Sequence, residues 1–359
     1  MRSQLVGFVF VLFVLPAAVA QPPAIDGAEF TVEAAERDKF LDQLATELKD
    51  RYVFADVADK MVAELKAKRG EYEKIASGHA LAARLTKDLQ AISKDKHLRV
   101  RASATPLPKP SKDGPSATDL ERQKEFARRN NGAVHKVERL PGNVGYLEIR
   151  NFMQPDAVAE PMAAAMSFLA RTDAIILDLR RNGGGSPHGV ALVCSYFFGE
   201  EPVHLNSLYW RKGDRTEDFH TLKSIAGPRC VGKDLYVLTS RRTFSGAEEC
   251  AYNLQTQKRA TIIGETTGGG AHPGGMVPLG DRFIAFIPTG RAINPITKTN
   301  WEGTGVKPDV PCPADKALDV ALEMAVKKLL DEAKDEETRR LIQMDLERAK
   351  QDGTPKAKP

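Results

Sequence analysis

Metal-binding spacing is missing from this chain. Its four cysteines, Cys194, Cys230, Cys250 and Cys312, form no Cys-x-x-Cys pair and no Cys/His cluster, so a structural zinc site has no ligand pattern to rest on and no metal or cofactor is expected. Nucleotide-binding patterns are missing too. Neither GxxxxGK[ST] nor GxGxxG occurs, although either would supply the backbone cradle that phosphates require. Charge of one sign is not in excess. The formal net charge is +4, with Lys and Arg interspersed among Asp and Glu, so the basic stripe of a nucleic-acid-binding protein is lacking and nucleic acid is not expected as a partner. Long apolar runs are confined to the beginning, and none reaches the ~20 residues that span a bilayer.

That one early run has a specific reading. Arg2 precedes an apolar stretch from Leu5 to Leu15, followed by Ala17, Ala18, Val19 and Ala20. A short apolar core with an Ala-x-Ala end is the pattern of a cleavable secretory leader. Residues 1–20 are therefore expected to be removed, leaving an exported chain, secreted or periplasmic, that starts at Gln21. No cysteine near Gln21 could accept a lipid, so no membrane anchor is expected. In an oxidising compartment the cysteines allow three pairings. Cys194 and Cys250 lie inside apolar helical patterns, where buried free thiols and a bridge remain open alternatives.

The remainder is ordinary for a globular protein, 42% hydrophobic and 28% charged, and long enough for about two domains. Over residues 30–92, Phe40, Leu41, Leu44, Leu48 and later Leu85, Leu89 and Ile92 recur at three and four, which predicts a small helical domain (residues 21–95). Residues 96–135 hold His97 and a stretch with four prolines and many charges, read as a mobile linker. Beyond Val134, strands alternate with helices, as in a mainly parallel sheet covered by helices (residues 136–335). Arg282 to Pro288 reads as an added strand and Asp315 to Leu330 as a closing helix. Residues 336–359 read as a charged tail whose last residues, ending in Lys356 to Pro359, are frayed.

Two segments carry chemistry. The strand from Leu235 to Thr239 leads to Ser245, and Gly246 to Glu249 open a helix. A serine there meets unpaired N–H groups and the positive end of the helix dipole, which favour a developing oxyanion. It could equally be an ordinary helix cap, with Glu248 completing a capping box. The second segment follows the strand from Ala174 to Leu179. Gly183, Gly184 and Gly185 sit just before Ser186 and Pro187, and three glycines in a row suit a backbone that turns sharply or meets a ligand.

The runs LDLRRNGGG (177–185), TSRRTFSGAEE (239–249), IIGETTGG (262–269) and EGTGVKPD (302–309) resemble, in order and spacing, the tail-specific (C-terminal processing) serine peptidases of family S41. The resemblance implies an α/β fold with a ClpP/crotonase-like spiral sheet domain preceded by a small helical N-terminal domain. It implies Ser245 as nucleophile of an acyl-enzyme, an oxyanion hole from Gly246 with Gly184 and Gly185, and a peptide or protein substrate. The processing branch uses a lysine base, but Thr266 stands at the matching position, and 98–142 is too short for a PDZ domain. The segments DKHLRV (95–100) and EGTGVKPD instead resemble the tricorn-core and interphotoreceptor retinoid-binding branch, with His97 as general base and Glu302 as its partner. An unperturbed imidazole would titrate near 6.5. His188 and His272 are weaker alternatives, with Asp178 an anchor for the glycine turn. The same branch also includes noncatalytic modules for hydrophobic ligands, which is the competing reading.

Overall fold

The computed structural model describes residues 27–108 and 116–351. The leader and its cleavage site, residues 109–115 of the proline-rich stretch and residues 352–359 lie outside the described residues.

The first helices are α1 (Ala34–Arg51), α2 (Ala55–Ala67), the short α3 (Arg69–Tyr72) and α4 (Gly78–Ser93). On α1 the buried positions include Phe40, Leu41, Leu44 and Leu48, the face expected from their spacing. Each such fully buried leucine contributes about 1.5–3 kcal/mol of transfer free energy. Helix α4 starts under the Ser77 hydroxyl, which accepts from Ala80 N, and stops at Lys94, whose φ of 58° turns the chain sharply. That turn presents Asp95, Lys96 and His97 just before β1 (Arg99–Ala102).

The proposed linker contains a helix, α5 (Ala117–Arg129). All four prolines of the stretch precede Ser116, whose hydroxyl accepts from Asp119 N while Asp119 accepts from Ser116 N, each at 3.1 Å. Glu125 then pairs with Arg128 and Arg129 along the helix. The Ser-x-x-Asp signature outweighs the loop-like composition.

The following elements are β2 (Val134–Leu140), β3 (Val144–Ile149), α6 (Pro155–Leu169), β4 (Ala174–Asp178), α7 (Pro187–Ser195), β5 (His204–Trp210), β6 (Arg215–His220), β7 (Asp234–Thr239), α8 (Gly246–Thr256), β8 (Thr261–Gly264), β9 (Gly274–Leu279), β10 (Phe283–Pro288), β11 (Gly290–Ile293), β12 (Val310–Pro311), α9 (Ala317–Glu332) and α10 (Glu336–Gln351). The central sheet has six strands in the order β12-β8-β7-β4-β3-β2. Its strands run parallel except β2, which pairs antiparallel with β3. Alternate residues serve opposite faces. Leu147, Ile175, Leu177 and Val237 join the core under α6, α7 and α8, whereas Tyr146, Ile176, Tyr236 and Leu238 pack with α9 and α10.

Two further elements depart from expectation. The region read as a charged tail is helical through Gln351, because Ile342 and Leu346 bury against the α9 face, while its last residues lie outside the described ones. The strand read as added, β10, does not join the central sheet. It lies between β1 and β9 in a separate three-stranded sheet, and Val277, Leu279, Phe283, Ala285 and Ile287 complete the core of the N-terminal helices. Phe283 stacks on Phe40 at 4.1 Å between ring centroids. This pairing carries the segment around His97 across to the C-terminal ends of the parallel strands, where open α/β sheets bind ligands.

Candidate active site

Ser245 is the hinge between β7 and α8, and its backbone is strained. With φ 55° and ψ −125° it occupies a region that costs a non-glycine residue on the order of 1–3 kcal/mol. Three bonds hold the approach to it against the turn after β4. Ser240 Oγ donates to Arg180 O (2.7 Å), Thr243 Oγ1 to Leu179 O (2.9 Å) and Phe244 N to Asn182 O (3.2 Å). Glu248 acts from inside α8. Its carboxylate accepts from Ser245 N (2.8 Å), Thr267 Oγ1 (2.5 Å), Gly269 N (2.6 Å) and Gly270 N (2.9 Å). Burial pushes its carboxyl up while these donors oppose the rise. The acid that reads as a helix-capping residue thus also ties the 267–270 loop to the serine.

The glycine turn fits against the same point. A Cβ on Gly184 would lie 2.8 Å from Gly246 N and from Ser245 Cβ, and one on Gly185 would lie 2.1 Å from Phe152 O. Both glycines have positive φ, 108° and 142°. Gly184 N donates to Asn182 Oδ1 at 2.8 Å, so its N–H is spent within the turn. Gly185 and Gly246 are left to offer theirs. The two are neighbours, since a Cβ on Gly246 would sit 3.1 Å from Gly185 N.

His97 comes from the turn after α4. Its N donates to Asp95 Oδ1 at 2.9 Å, and its ring packs on Phe244, the residue before Ser245, with centroids 4.5 Å apart. Phe286 flanks it at 5.6 Å. Glu302 arrives on the loop before β12, positioned by the bond from its N to Asn300 Oδ1 (2.9 Å), by Ala271 N on its Oε2, and by buried Trp301, whose Nε1 donates to Gly270 O (2.8 Å). One ring nitrogen of His97 and one carboxylate oxygen each of Glu302 and Asp95 lie within 4.8 Å of one another. His97 Nδ1 and Glu302 Oε1 are both buried without a hydrogen-bond partner.

Burial holds His97 down at about 4, helped by the charges of His272 and Arg99 and opposed by Asp95. Burial likewise pushes Glu302 up to about 7, with Asp95 adding to the rise and His272 opposing it. Asp95, His97 and Glu302 are the group among the described residues whose ligand atoms could converge on a cation. Both oxygens of Asp95 already accept from the protein, Oδ1 from His97 N and Oδ2 from Tyr52 OH (3.2 Å) and His272 Nδ1 (2.8 Å). That arrangement suits proton handling better than coordination.

His272, the alternative histidine of the 268–275 loop, lies between two carboxylates. Besides Asp95 it faces Glu302 Oε2 at 3.5 Å, and it is buried. His188 lies elsewhere, against Phe219 and 4.0 Å from Glu217. Asp178 accepts from Tyr146 OH (2.7 Å) and from Arg180, anchoring the chain that enters the glycine turn. Tyr52 carries no signal for a role in the sequence, and Asp95, although it opens the DKHLRV segment, meets His272 only through the fold. Cys194 and Cys250, on α7 and α8, are buried thiols with sulfurs 3.9 Å apart.

Comparison with known proteins decides the family. Residues 143–312 match peptidase family S41, and residues 34–140 match the N-terminal domain of that family in eukaryotic interphotoreceptor retinoid-binding proteins. The chain belongs to peptidase family S41. The α/β architecture behind a helical N-terminal region is the one expected of that family. A carboxy-terminal-processing protease of Bartonella bacilliformis is 27% identical over 177 residues, 48% of this chain and 39% of that protein. The chain thus spans about two fifths of that S41 relative's length. A solved structure from Parabacteroides merdae superposes with a TM-score of 0.59 at 20% identity, covering 83% of this chain and 99% of that one. A photosystem II D1 C-terminal processing protease gives 0.51 at 17%, covering 86% and 100%. Both show the shared fold. Among the described residues no helix of this S41 chain is long and apolar enough to cross a membrane.

Proposed function

We propose that the protein is an exported peptidase, carried out of the cytoplasm by a leader at residues 1–20, that hydrolyses peptide bonds through an acyl-enzyme on Ser245. His97 accepts the serine proton as the hydroxyl attacks the scissile carbonyl, and returns it to the leaving amine. Water then attacks the ester by the same route, releasing the acyl product and restoring Ser245. Glu302 stabilises the imidazolium formed on the way. Gly185 and Gly246 donate to the oxyanion. In this reading Gly184 shapes the turn instead of donating.

The observation that carries the reading is the pair of unpartnered buried atoms, His97 Nδ1 and Glu302 Oε1, beside a strained serine at a helix start. A buried polar group without a partner costs free energy, and donation from imidazole to carboxylate would satisfy both atoms. The competing reading, a module for hydrophobic ligands, finds little support in the neighbouring cavity, whose wall contains Lys96, Arg99, Arg241 and Arg242.

Ser245→Ala tests the proposal. Hydrolysis of an unstructured protein substrate should fall by at least about a thousandfold while circular dichroism and thermal unfolding stay near wild type. Retained hydrolysis would remove Ser245 from the mechanism.

A further inference from the structure

Phe244 has a second role besides supporting His97. Its ring lies under the Arg99 guanidinium, 5.9 Å from the centroid, and forms part of the wall of a cavity of about 660 Å³. Lys96, Arg99, Arg241 and Arg242 line that cavity together with Thr266, and no carboxylate does. Among the described residues no ion pair involves Lys96, Arg99 or Arg242, and the Arg241 guanidinium reaches Glu265 only at 4.0 Å, that carboxylate accepting instead from Arg241 N at 3.2 Å. Lys96 Nζ donates to Gly268 O and Arg99 Nε to Lys96 O, both neutral acceptors. Burial and the neighbouring Arg101 hold the Arg99 pKa down, an unfavourable setting for its charge that an entering anion would relieve.

A solvated basic surface would spread such charges apart. Here they converge on a concavity that shares Phe244 with the candidate base and adjoins the nucleophile in sequence. Guanidinium groups match the planar, two-oxygen geometry of a carboxylate better than any other biological cation does.

We propose that this cavity binds a carboxylate of the peptide substrate and makes the enzyme selective for peptides that place an acidic group near the scissile bond. The inference rests on the peptidase reading. The carboxylate comes from a Glu or Asp side chain or from the free end of the chain, and the two sources share the same chemistry.

The test is equilibrium binding of fluorescent peptides to full-length Ser245→Ala protein, which holds substrate without cleaving it. One pair differs by Glu against Gln with both ends blocked, and a second, neutral pair differs by a free against an amidated C-terminus. The carboxylate-bearing member of at least one pair should bind about tenfold or more tightly, with an advantage that shrinks as salt rises. Which pair shows the advantage identifies the source. Adding Arg99→Gln and Arg242→Gln should bring the ratio close to one, and Arg242→Glu, at an exposed position, should favour a Lys-bearing peptide. Equal binding within both pairs, or a preference that survives Arg99→Gln with Arg242→Gln, would overturn the proposal. Parallel assays of the unmutated enzyme separate the two readings. Selective binding without turnover of any peptide defeats the peptidase reading alone, and turnover without selectivity defeats the cavity alone.

Discussion

His97 and Glu302 are shifted in opposite directions by the same cause, and this sets the expected pH dependence. With His97 held at about 4 and Glu302 raised to about 7, the single ionisation near 6.5 expected of a free imidazole is replaced by two. As pH falls through about 7, Glu302 gains a proton and loses the charge that would stabilise imidazolium. As pH falls further toward 4, His97 protonates and can no longer accept from Ser245. A profile of kcat/KM against pH should therefore decline in two steps, and Glu302→Gln should erase the upper one while lowering the plateau by about ten- to a hundredfold. One step near 6.5 in both proteins would contradict the assignment. The stability effects oppose one another. The His97 contribution is fully present above the unfolded imidazole value of roughly 6.5 and is lost as pH falls toward 4, whereas that of Glu302 is greatest below about 4.3 and is lost as pH rises through 7.

At the scale of elements, the turn between β4 and α7 separates glycines that the sequence presents as one run. Gly183 would meet nothing within 4 Å if given a Cβ, but Gly185 would meet the Phe152 carbonyl at 2.1 Å and has positive φ. Gly183→Ala should leave unfolding free energy within about 0.5 kcal/mol of wild type. Gly185→Ala should displace the turn from Ser245, costing at least about a hundredfold in kcat. Equal effects of the two would mean the turn is not part of the catalytic geometry. The same scale shows what the sequence allowed to be read. The strands and helices from Val144 to Thr261 follow their hydrophobic periods and were legible, as were the glycine turn and the serine at the start of α8. Within that span β5 and β6 were the exceptions, because β5 buries the polar Asn206 and Ser207 and β6 is largely exposed and polar. Helix α5 and the helix at 336–351 were hidden by charge-rich composition, although Ser116 and Asp119 held a readable cap.

Across the whole molecule, the candidate site is assembled from parts far apart in the chain. His97 follows the N-terminal helices, Ser245 starts α8, His272 precedes β9 and Glu302 lies before β12. No local pattern links them. Family resemblance supplied three of these residues, but the link between Asp95 and His272 accompanies the crossing of β10 to β1, a contact between residues nearly two hundred positions apart that periodicity does not reveal. The measurement that tests the account most directly is reaction with a fluorophosphonate, followed by mass-spectrometric mapping of the adduct in wild type and in His97→Ala. One phosphonate on Ser245 in wild type, formed at least about a hundredfold more slowly in His97→Ala, is the predicted result. Failure to label Ser245 in folded protein, or labelling at the same rate without His97, would contradict it.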